Sequence, residues 1–171
     1  MTAECNRAAP AETGGVLMGY RADGTDERVA THVVGPGPNA IHEEFRFVPD
    51  HDYQLAEIAR LYETSGRCLE YLGDWHSHPG AEGYLSDKDL ETLNRIARSR
   101  TARVENPVML VMAGQKGWDP FAWIHERSSA WVWGRRSITE PLAVELFEAH
   151  PGFRGGDFSV FPSAIESARC V

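Results

Sequence analysis

The stretch GDWHSHPGAEGYLSDKD, residues 73–89, contains two histidines and an aspartate at spacings that suit a metal site. His76 and His78 are two residues apart, so on a β-strand both imidazoles point to one face of the sheet. Two neutral imidazoles on one face are a natural pair of zinc ligands. Asp89 follows in the first turn of a predicted helix, which a short loop can bring back over the strand end. Three such ligands leave a fourth position for water, which is typical of a catalytic zinc.

A hydrolytic zinc site also needs a base that accepts the proton of the attacking water. A carboxylate outside the ligand set suits this role, and five glutamates are candidates: Glu12, Glu43, Glu44, Glu70 and Glu82. Glu70 lies on the same predicted strand as the histidines, but an extended strand places it about 20 Å from His76, out of reach. Spacing alone does not choose among the other four.

Two further residues of this stretch, Ser86 and Asp74, have two interpretations each. Ser86 and Asp89 have the spacing of a capping box, which is a structural device, but a hydroxyl beside a metal could instead donate to a developing oxyanion. A nearby backbone amide could share the capping. Asp74 and Ser77 flank the histidines. Asp74 shares strand parity with His76 and could hold an imidazole in one tautomer, or it could be exposed to solvent.

Apolar patterning predicts a chain of mixed strands and helices. The predicted strands are 16–20, 28–34, 69–75, 108–113, 121–125 and 130–135, with a loop or short strand at 39–49. Because strands and helices do not alternate strictly, the expected class is a mixed α/β sandwich in which helices flank a central mixed sheet.

Three helices are predicted from caps and periodicity. Asp50 caps the first, whose apolar face comprises Leu55, Ile58, Ala59 and Tyr62. The second begins near Ser86, and its apolar face comprises Leu90, Leu93 and Ala97. The third covers residues 142–149, with Pro141 in its first turn. Residues 1–12 show no clear period.

Composition limits the function classes. The 171 residues predict one domain over residues 1–150 and a tail over 151–171 that is rich in Gly, Pro and Ser. A net charge of -8 argues against a nucleic-acid partner held through phosphates.

The apolar run 108–113 is far shorter than the roughly 20 residues of a membrane span, and the N-terminus lacks a signal peptide, so we expect a cytoplasmic protein. Three cysteines without CxxC spacing do not make a Cys-type zinc site.

These motifs resemble the JAMM (MPN+, or JAB-domain) metalloprotease family. That family's pattern is an upstream Glu, then His-x-His, seven residues, Ser, two residues and Asp, and residues 76–89 match it at every spacing. The family also has a Glu shortly before a strand that opens with Gly-Gly, which the segment ETGGVLMG, residues 12–19, resembles. This second match selects Glu12 among the candidate bases. The resemblance covers residues 12 to about 135.

The resemblance implies a fold, a cofactor and an activity. The fold would be the JAMM/MPN sandwich, which is similar to that of cytidine deaminases. One Zn²⁺ per chain would be held by His76, His78 and Asp89, with Glu12 as the base and Ser86 at the oxyanion. The substrate would be a ubiquitin-like protein or its conjugate, cut after its C-terminal glycine. Compact bacterial members imply activating and conjugating (E1- and E2-like) enzymes as partners and a link to antiphage defence.

Three other functions are alternatives to this activity. A zinc deaminase acting on a nucleobase needs His-x-Glu and Pro-Cys-x-x-Cys, and the sequence has neither. A processing protease for a sulfur-carrier protein would use the same residues on a different ubiquitin-fold substrate, so the sequence leaves it open. A metal-free scaffold domain of the same fold typically lacks the ligands, which are present here.

Overall fold

A computed structural model describes residues 1–43, 46–114, 117–127 and 137–147. In these residues the helices are α1 (Thr2–Ala8), α2 (His51–Thr64) and α3 (Asp87–Arg98). The strands are β1 (Gly14–Arg21), β2 (Arg28–Val34), β3 (Ile41–Glu43), β4 (Arg46–Val48), β5 (Glu70–Pro79), β6 (Val108–Gly114), β7 (Asp119–Arg127) and β8 (Ser137–Leu142). The predicted tail, residues 151–171, and the predicted strand 130–135 lie outside the described residues.

The main sheet has six strands in the order β2-β1-β5-β6-β7-β8. Strands β5 and β6 pair in parallel, and the connection between them contains α3. The other neighbours pair antiparallel, so the sheet is mixed and the predicted fold class is confirmed. Strands β3 and β4 form a separate antiparallel hairpin.

The helices cover both faces of this sheet. Alternate residues of β6 point to opposite sides, and one set packs with Cys5 of α1: Val108, Leu110 and Met112. The other set packs with Leu93 of α3: Met109, Val111 and Ala113. Val16 and Met18 of β1 pack with Leu61 of α2, and the register places Val16 on the same face as Met109. Helix α1 therefore covers one face, and α2 and α3 cover the other.

The predicted start of α2 is confirmed, but its predicted apolar face is only half right, since Ile58 and Tyr62 are partly buried while Leu55 and Ala59 are exposed. Asp50 caps the helix by accepting a hydrogen bond from the Tyr53 backbone N–H at 3.2 Å. Leu55 is 50% exposed, whereas Gln54 is 6% exposed and donates to the Gly35 carbonyl at 3.2 Å. Gln54 and Leu61 thus define the buried face, with Ile58 packed beside it. Helix α3 is closer to its prediction, since Leu93 and Ala97 are buried and only Leu90 is exposed.

Two terminal elements differ from the sequence prediction. Helix α1 lies in residues 1–12, where no period was recognised, and buries Cys5 completely. At the other end, residues 137–142 form β8 against β7, and residues 143–147 are not helical, so the helix predicted over 142–149 is wrong where it is described. Pro141 lies within β8, which is the last strand in the sheet order. An edge strand tolerates Pro, because one side of the strand needs no ladder hydrogen bond.

Among the described residues, no helix has both the length and the hydrophobicity of a membrane span.

Candidate metal centre

His76 and His78 lie at the carboxyl end of β5 and face the side of the sheet that α3 covers. Their register partners on β6 are Val111 and Ala113, and both of these pack against Leu93 of α3. The two imidazole Nε2 atoms are 3.0 Å apart. The parity of a β-strand therefore brings both rings together, as the sequence predicts.

Asp89 reaches these imidazoles from the first turn of α3. Its Oδ1 lies 3.3 Å from His76 Nε2, and its Oδ2 lies 3.6 Å from His78 Nε2. A capping box fixes this turn, because the Asp89 N–H donates to Ser86 Oγ while the Ser86 N–H donates to Asp89 Oδ2 at 2.8 Å. The Ser86 hydroxyl also donates to Asp89 Oδ2, at 2.7 Å. The capping interpretation of Ser86 therefore has a structural basis, and the same box orients Asp89.

The geometry of the three side chains fits a tetrahedral metal ion. Ligands held about 2.0–2.1 Å from such an ion lie about 3.3 Å from one another. The two Nε2 atoms are 3.0 Å apart, and they lie 3.3 and 3.6 Å from Asp89 Oδ1 and Oδ2 respectively, which is close to that value. Two imidazoles and one carboxylate form the donor set, and their side chains are 12%, 10% and 15% exposed. The residues therefore suit a divalent ion such as zinc, with three protein ligands.

The electrostatics of the group favour the metal-binding states of Asp89 and His78. Burial opposes the ionisation of Asp89, but hydrogen bonds and charge interactions with His76 and Ser86 prevail and lower its pKa to about 2. Burial, reinforced by the neighbouring His76, lowers the pKa of His78 and favours its neutral imidazole. A metal ligand needs an ionised carboxylate and an unprotonated ring nitrogen.

Glu12 lies just before β1, on the side of the strand that faces the two histidines. Gly14 pairs with His76. The next pair is Thr13 with Ser77, since the Ser77 N–H donates to the Thr13 carbonyl at 2.8 Å. Counting one residue further places Glu12 opposite His78, on the same face. Burial raises the pKa of Glu12, the charge of His76 lowers it, and the charge of Asp89 raises it. Glu12 thus lies within the electrostatic reach of the ligand group.

The other described candidate bases are more exposed than Glu12. Glu43, Glu70 and Glu82 are exposed. Glu70 also pairs with Arg21 at 3.7 Å, toward the far end of β1. Glu44 lies outside the described residues. The fold therefore brings Glu12, of the described candidates, to the ligand group.

Gly14 makes this close approach of β1 and β5 possible. A Cβ atom at Gly14 would lie 2.5 Å from the Trp75 carbonyl oxygen and 3.0 Å from His76 Cβ. Neither atom can move without displacing β5. The first glycine of the Gly-Gly pair thus leaves room for the histidine strand.

The residues that flank the histidines have different surroundings. Asp74 is half-buried and accepts a hydrogen bond from the Tyr71 hydroxyl at 2.6 Å, while burial raises the Asp74 pKa. Its action on an imidazole stays a prediction. Ser77 is fully buried on the opposite face of β5, and its Oγ accepts from the Thr13 N–H at 3.0 Å. Ser77 thus joins the histidine strand to the segment that carries Glu12.

Two residues beside the centre were missed by the sequence analysis. The Nδ1 atom of His42 lies 2.9 Å from the Glu12 carbonyl oxygen. The exposed ring of Tyr84 lies 6.0 Å, centroid to centroid, from the ring of His78. Neither residue stands at ligand spacing from another histidine, so no local pattern in the sequence marks them.

Comparison with known proteins places the chain in a family. Residues 1–132 match the family described as prokaryotic homologs of the JAB domain. A probable metalloprotease of Sinorhizobium fredii, y4qB, is 40% identical over 150 residues, covering 86% of this chain and 91% of that protein. A CD-NTase/cGAS isopeptidase of Enterobacter hormaechei is 27% identical over 67% of this chain and 62% of that protein.

Among solved structures, a protein from Salinibacter ruber is similar to this chain with a TM-score of 0.48 and 15% sequence identity. The match covers 88% of this chain and 86% of that protein. The extent of the family match and the first relative's identity settle the assignment. This chain belongs to the prokaryotic JAB-domain family and is a metalloprotease of the JAMM type.

Proposed function

We propose that this chain is a zinc-dependent isopeptidase that hydrolyses the bond after the C-terminal glycine of a ubiquitin-like protein or its conjugate. The observation that carries the proposal is the convergence of His76, His78 and Asp89 on one point, with Glu12 on the same face. The similarity to a protein named CD-NTase/cGAS isopeptidase supports a conjugate as the substrate.

His76, His78 and Asp89 would hold the zinc ion, one per chain. Bound there, zinc supplies a Lewis acid that polarises the scissile carbonyl and makes a water molecule more acidic. Glu12 accepts the proton of the attacking water and then delivers it to the leaving lysine amine. Burial raises the pKa of Glu12, which suits a group that must both accept and release a proton.

Ser86 is assigned a second role beside capping. Its hydroxyl donates to Asp89 Oδ2, and so does its own backbone N–H at 2.8 Å. Because the N–H keeps that oxygen partnered, the hydroxyl can turn toward the oxyanion that forms on the substrate. A donor placed at an oxyanion is worth roughly 10²–10³-fold in turnover.

The setting of the reaction is part of the same proposal. We propose ubiquitin-like conjugates as substrates, E1- and E2-like enzymes as partners, a cytoplasmic location and a role in antiphage defence. The acidic balance of the chain, -8, makes a nucleic-acid partner unfavourable. Residues 1–150 would form the catalytic domain, followed by the tail at 151–171.

The test is cleavage of defined fusions by the zinc-loaded protein. Ubiquitin-like proteins that end in Gly-Gly are fused to a short peptide or linked to a lysine side chain, and mass spectrometry locates the cut. We expect hydrolysis after the second glycine, and no hydrolysis by the Glu12→Gln variant. Cleavage of sulfur-carrier fusions alone would favour the processing protease. No cleavage of any fusion by a zinc-loaded protein would contradict the proposal.

A further inference from the structure

The peptide unit between Glu12 and Thr13 is held at both of its polar ends by side chains. Its N–H, on Thr13, donates to Ser77 Oγ at 3.0 Å. Its carbonyl, on Glu12, accepts a hydrogen bond from His42 Nδ1 at 2.9 Å. Because a carbonyl oxygen can only accept, the proton of His42 must lie on Nδ1.

Fixing this peptide unit limits the directions open to the Glu12 side chain. A peptide unit is planar, so holding its two ends restrains ψ of Glu12 and φ of Thr13 together. The carbonyl of Glu12 precedes β1, which begins at Gly14, and therefore lies beyond the strand itself. The hydrogen bond from His42 therefore restrains the Glu12 carbonyl, which is outside β1.

His42 is itself held in place by the β3–β4 hairpin. Its ring lies 5.4 Å from the ring of Phe47 on β4, at an interplanar angle of 34°. Phe47 in turn packs over Gly14, since a Cβ built there would lie 3.0 Å from both Phe47 Cε1 and His76 Cβ. The hairpin thus rests beside the ligand strand and carries the donor for Glu12.

We propose that His42 is a positioning residue whose Nδ1–H orients Glu12 for its role as the base. The proposal rests on the function proposed above for Glu12, and it gives a role to a hairpin that lies outside the main sheet and contacts the backbone of Glu12. His42 acts through the backbone of Glu12. It contacts neither the metal ligands nor the substrate in this scheme.

The experiment uses two variants that separate the aromatic ring of His42 from its N–H donor. His42→Phe keeps an aromatic ring against Phe47 but removes the donor, whereas His42→Asn keeps an N–H at the position of Nδ1 but removes the ring. Ile41→Ala is the matched control, because Ile41 lies on the same strand and is 45% exposed. Values of kcat and KM are measured for each zinc-loaded protein on the Gly-Gly fusion that the wild type cleaves.

We expect His42→Phe to lower kcat by about 10- to 10²-fold, since small misplacements of a catalytic group cost rates of this order. KM should stay within about twofold, because the contact does not bind substrate. His42→Asn should recover most of the lost kcat, and Ile41→Ala should match the wild type. The proposal is overturned if His42→Phe turns over like the wild type, or if His42→Asn is as slow as His42→Phe.

A second measurement does not depend on activity. Amide hydrogen exchange at Thr13, followed by NMR, should be faster in His42→Phe than in the wild type and close to wild type in His42→Asn. Equal exchange in all three proteins would contradict the restraint. If the wild type cleaves no fusion, the proposed function fails, yet the exchange experiment still decides whether His42 holds this peptide unit.

Discussion

Glu12, the proposed base, should favour catalysis at a cost in stability. It is half-buried beside two imidazoles and a carboxylate, and burial raises its pKa. A base whose pKa approaches the working pH transfers protons in both directions efficiently.

The activity prediction for this residue is direct. Glu12→Gln should keep metal binding, because Glu12 is not a ligand, and should lower kcat by about 10²–10⁴-fold through loss of the base. Zinc content and turnover on the same sample measure both effects. Glu82→Gln, an exposed glutamate on the loop before α3, is the control and should be unaffected. An active Glu12→Gln protein would remove Glu12 from its proposed role.

The stability prediction follows from the direction of the same pKa shift. The folded, metal-free protein binds the Glu12 proton more tightly than the unfolded chain, whose ordinary pKa is 4.5. Its stability therefore falls as the pH rises above that value, and the cost is fully present once the pH exceeds the folded-state pKa. Glu12→Gln should raise the Tm of the chelated protein at pH 8 more than at pH 4. An equal change at both pH values, or a larger gain at pH 4, would show that Glu12 carries no such cost.

Ser86 can be tested against a second capping residue. Ser86→Ala should lose about 1 kcal/mol of stability as a cap and about 10²–10³-fold in kcat as an oxyanion donor. Ser65→Ala removes the hydroxyl at the C-cap of α2, which donates to the Tyr62 carbonyl at 2.8 Å and accepts from the Leu69 N–H at 3.1 Å, and should lose similar stability with unchanged kcat. Chemical denaturation and steady-state kinetics separate the two effects. If Ser86→Ala loses stability while kcat holds, Ser86 is a cap alone.

At the scale of elements, the metal centre depends on how closely β1 approaches β5. Gly14→Ala would push its new Cβ against the Trp75 carbonyl, which lies 2.5 Å away, and against His76 Cβ. Overpacking of this kind costs about 1–3 kcal/mol, and here it should also weaken zinc binding. Gly35→Ala is the control, since a Cβ there meets no atom within 4 Å. Calorimetric zinc titrations of both variants compare them, and wild-type affinity in Gly14→Ala would contradict the account.

The elements that the sequence predicted well are those defined by local rules. The parity of His76 and His78, the Ser86–Asp89 box and the Asp50 cap each depend on residues at most three apart. Such contacts follow from strand and helix geometry without knowledge of the fold. The strand positions of β2 and β6 were predictable for the same reason.

The elements that were missed depend on distant partners. Helix α1 has seven residues, too few for a period, and contacts with distant strands such as the burial of Cys5 explain its position. The face of α2 depends on the hydrogen bond between Gln54 and Gly35. Pro141 suits both the first turn of a helix and an edge strand, and pairing with β7 decides between them. His42 reaches Glu12 across 30 positions, which no spacing rule anticipates.

At the scale of the whole molecule, the topology assembles the centre from segments far apart in the chain. The parallel pairing of β5 and β6 places α3 over one face of the sheet, and its first turn meets the end of β5. Strands β1 and β5 both lie in the interior of the sheet order, so each has a neighbouring strand on both sides. A rigid, fully paired scaffold of this kind holds ligands in place before a metal arrives.

The central claim is that a divalent ion binds between His76, His78 and Asp89, next to Glu12. X-ray diffraction from zinc-loaded crystals, collected at the zinc absorption edge, tests it most directly. The account predicts one anomalous peak per chain, about 2.0–2.1 Å from both Nε2 atoms and from an Asp89 carboxylate oxygen. A zinc-loaded crystal with no peak there, or with its peak at other residues, would contradict it.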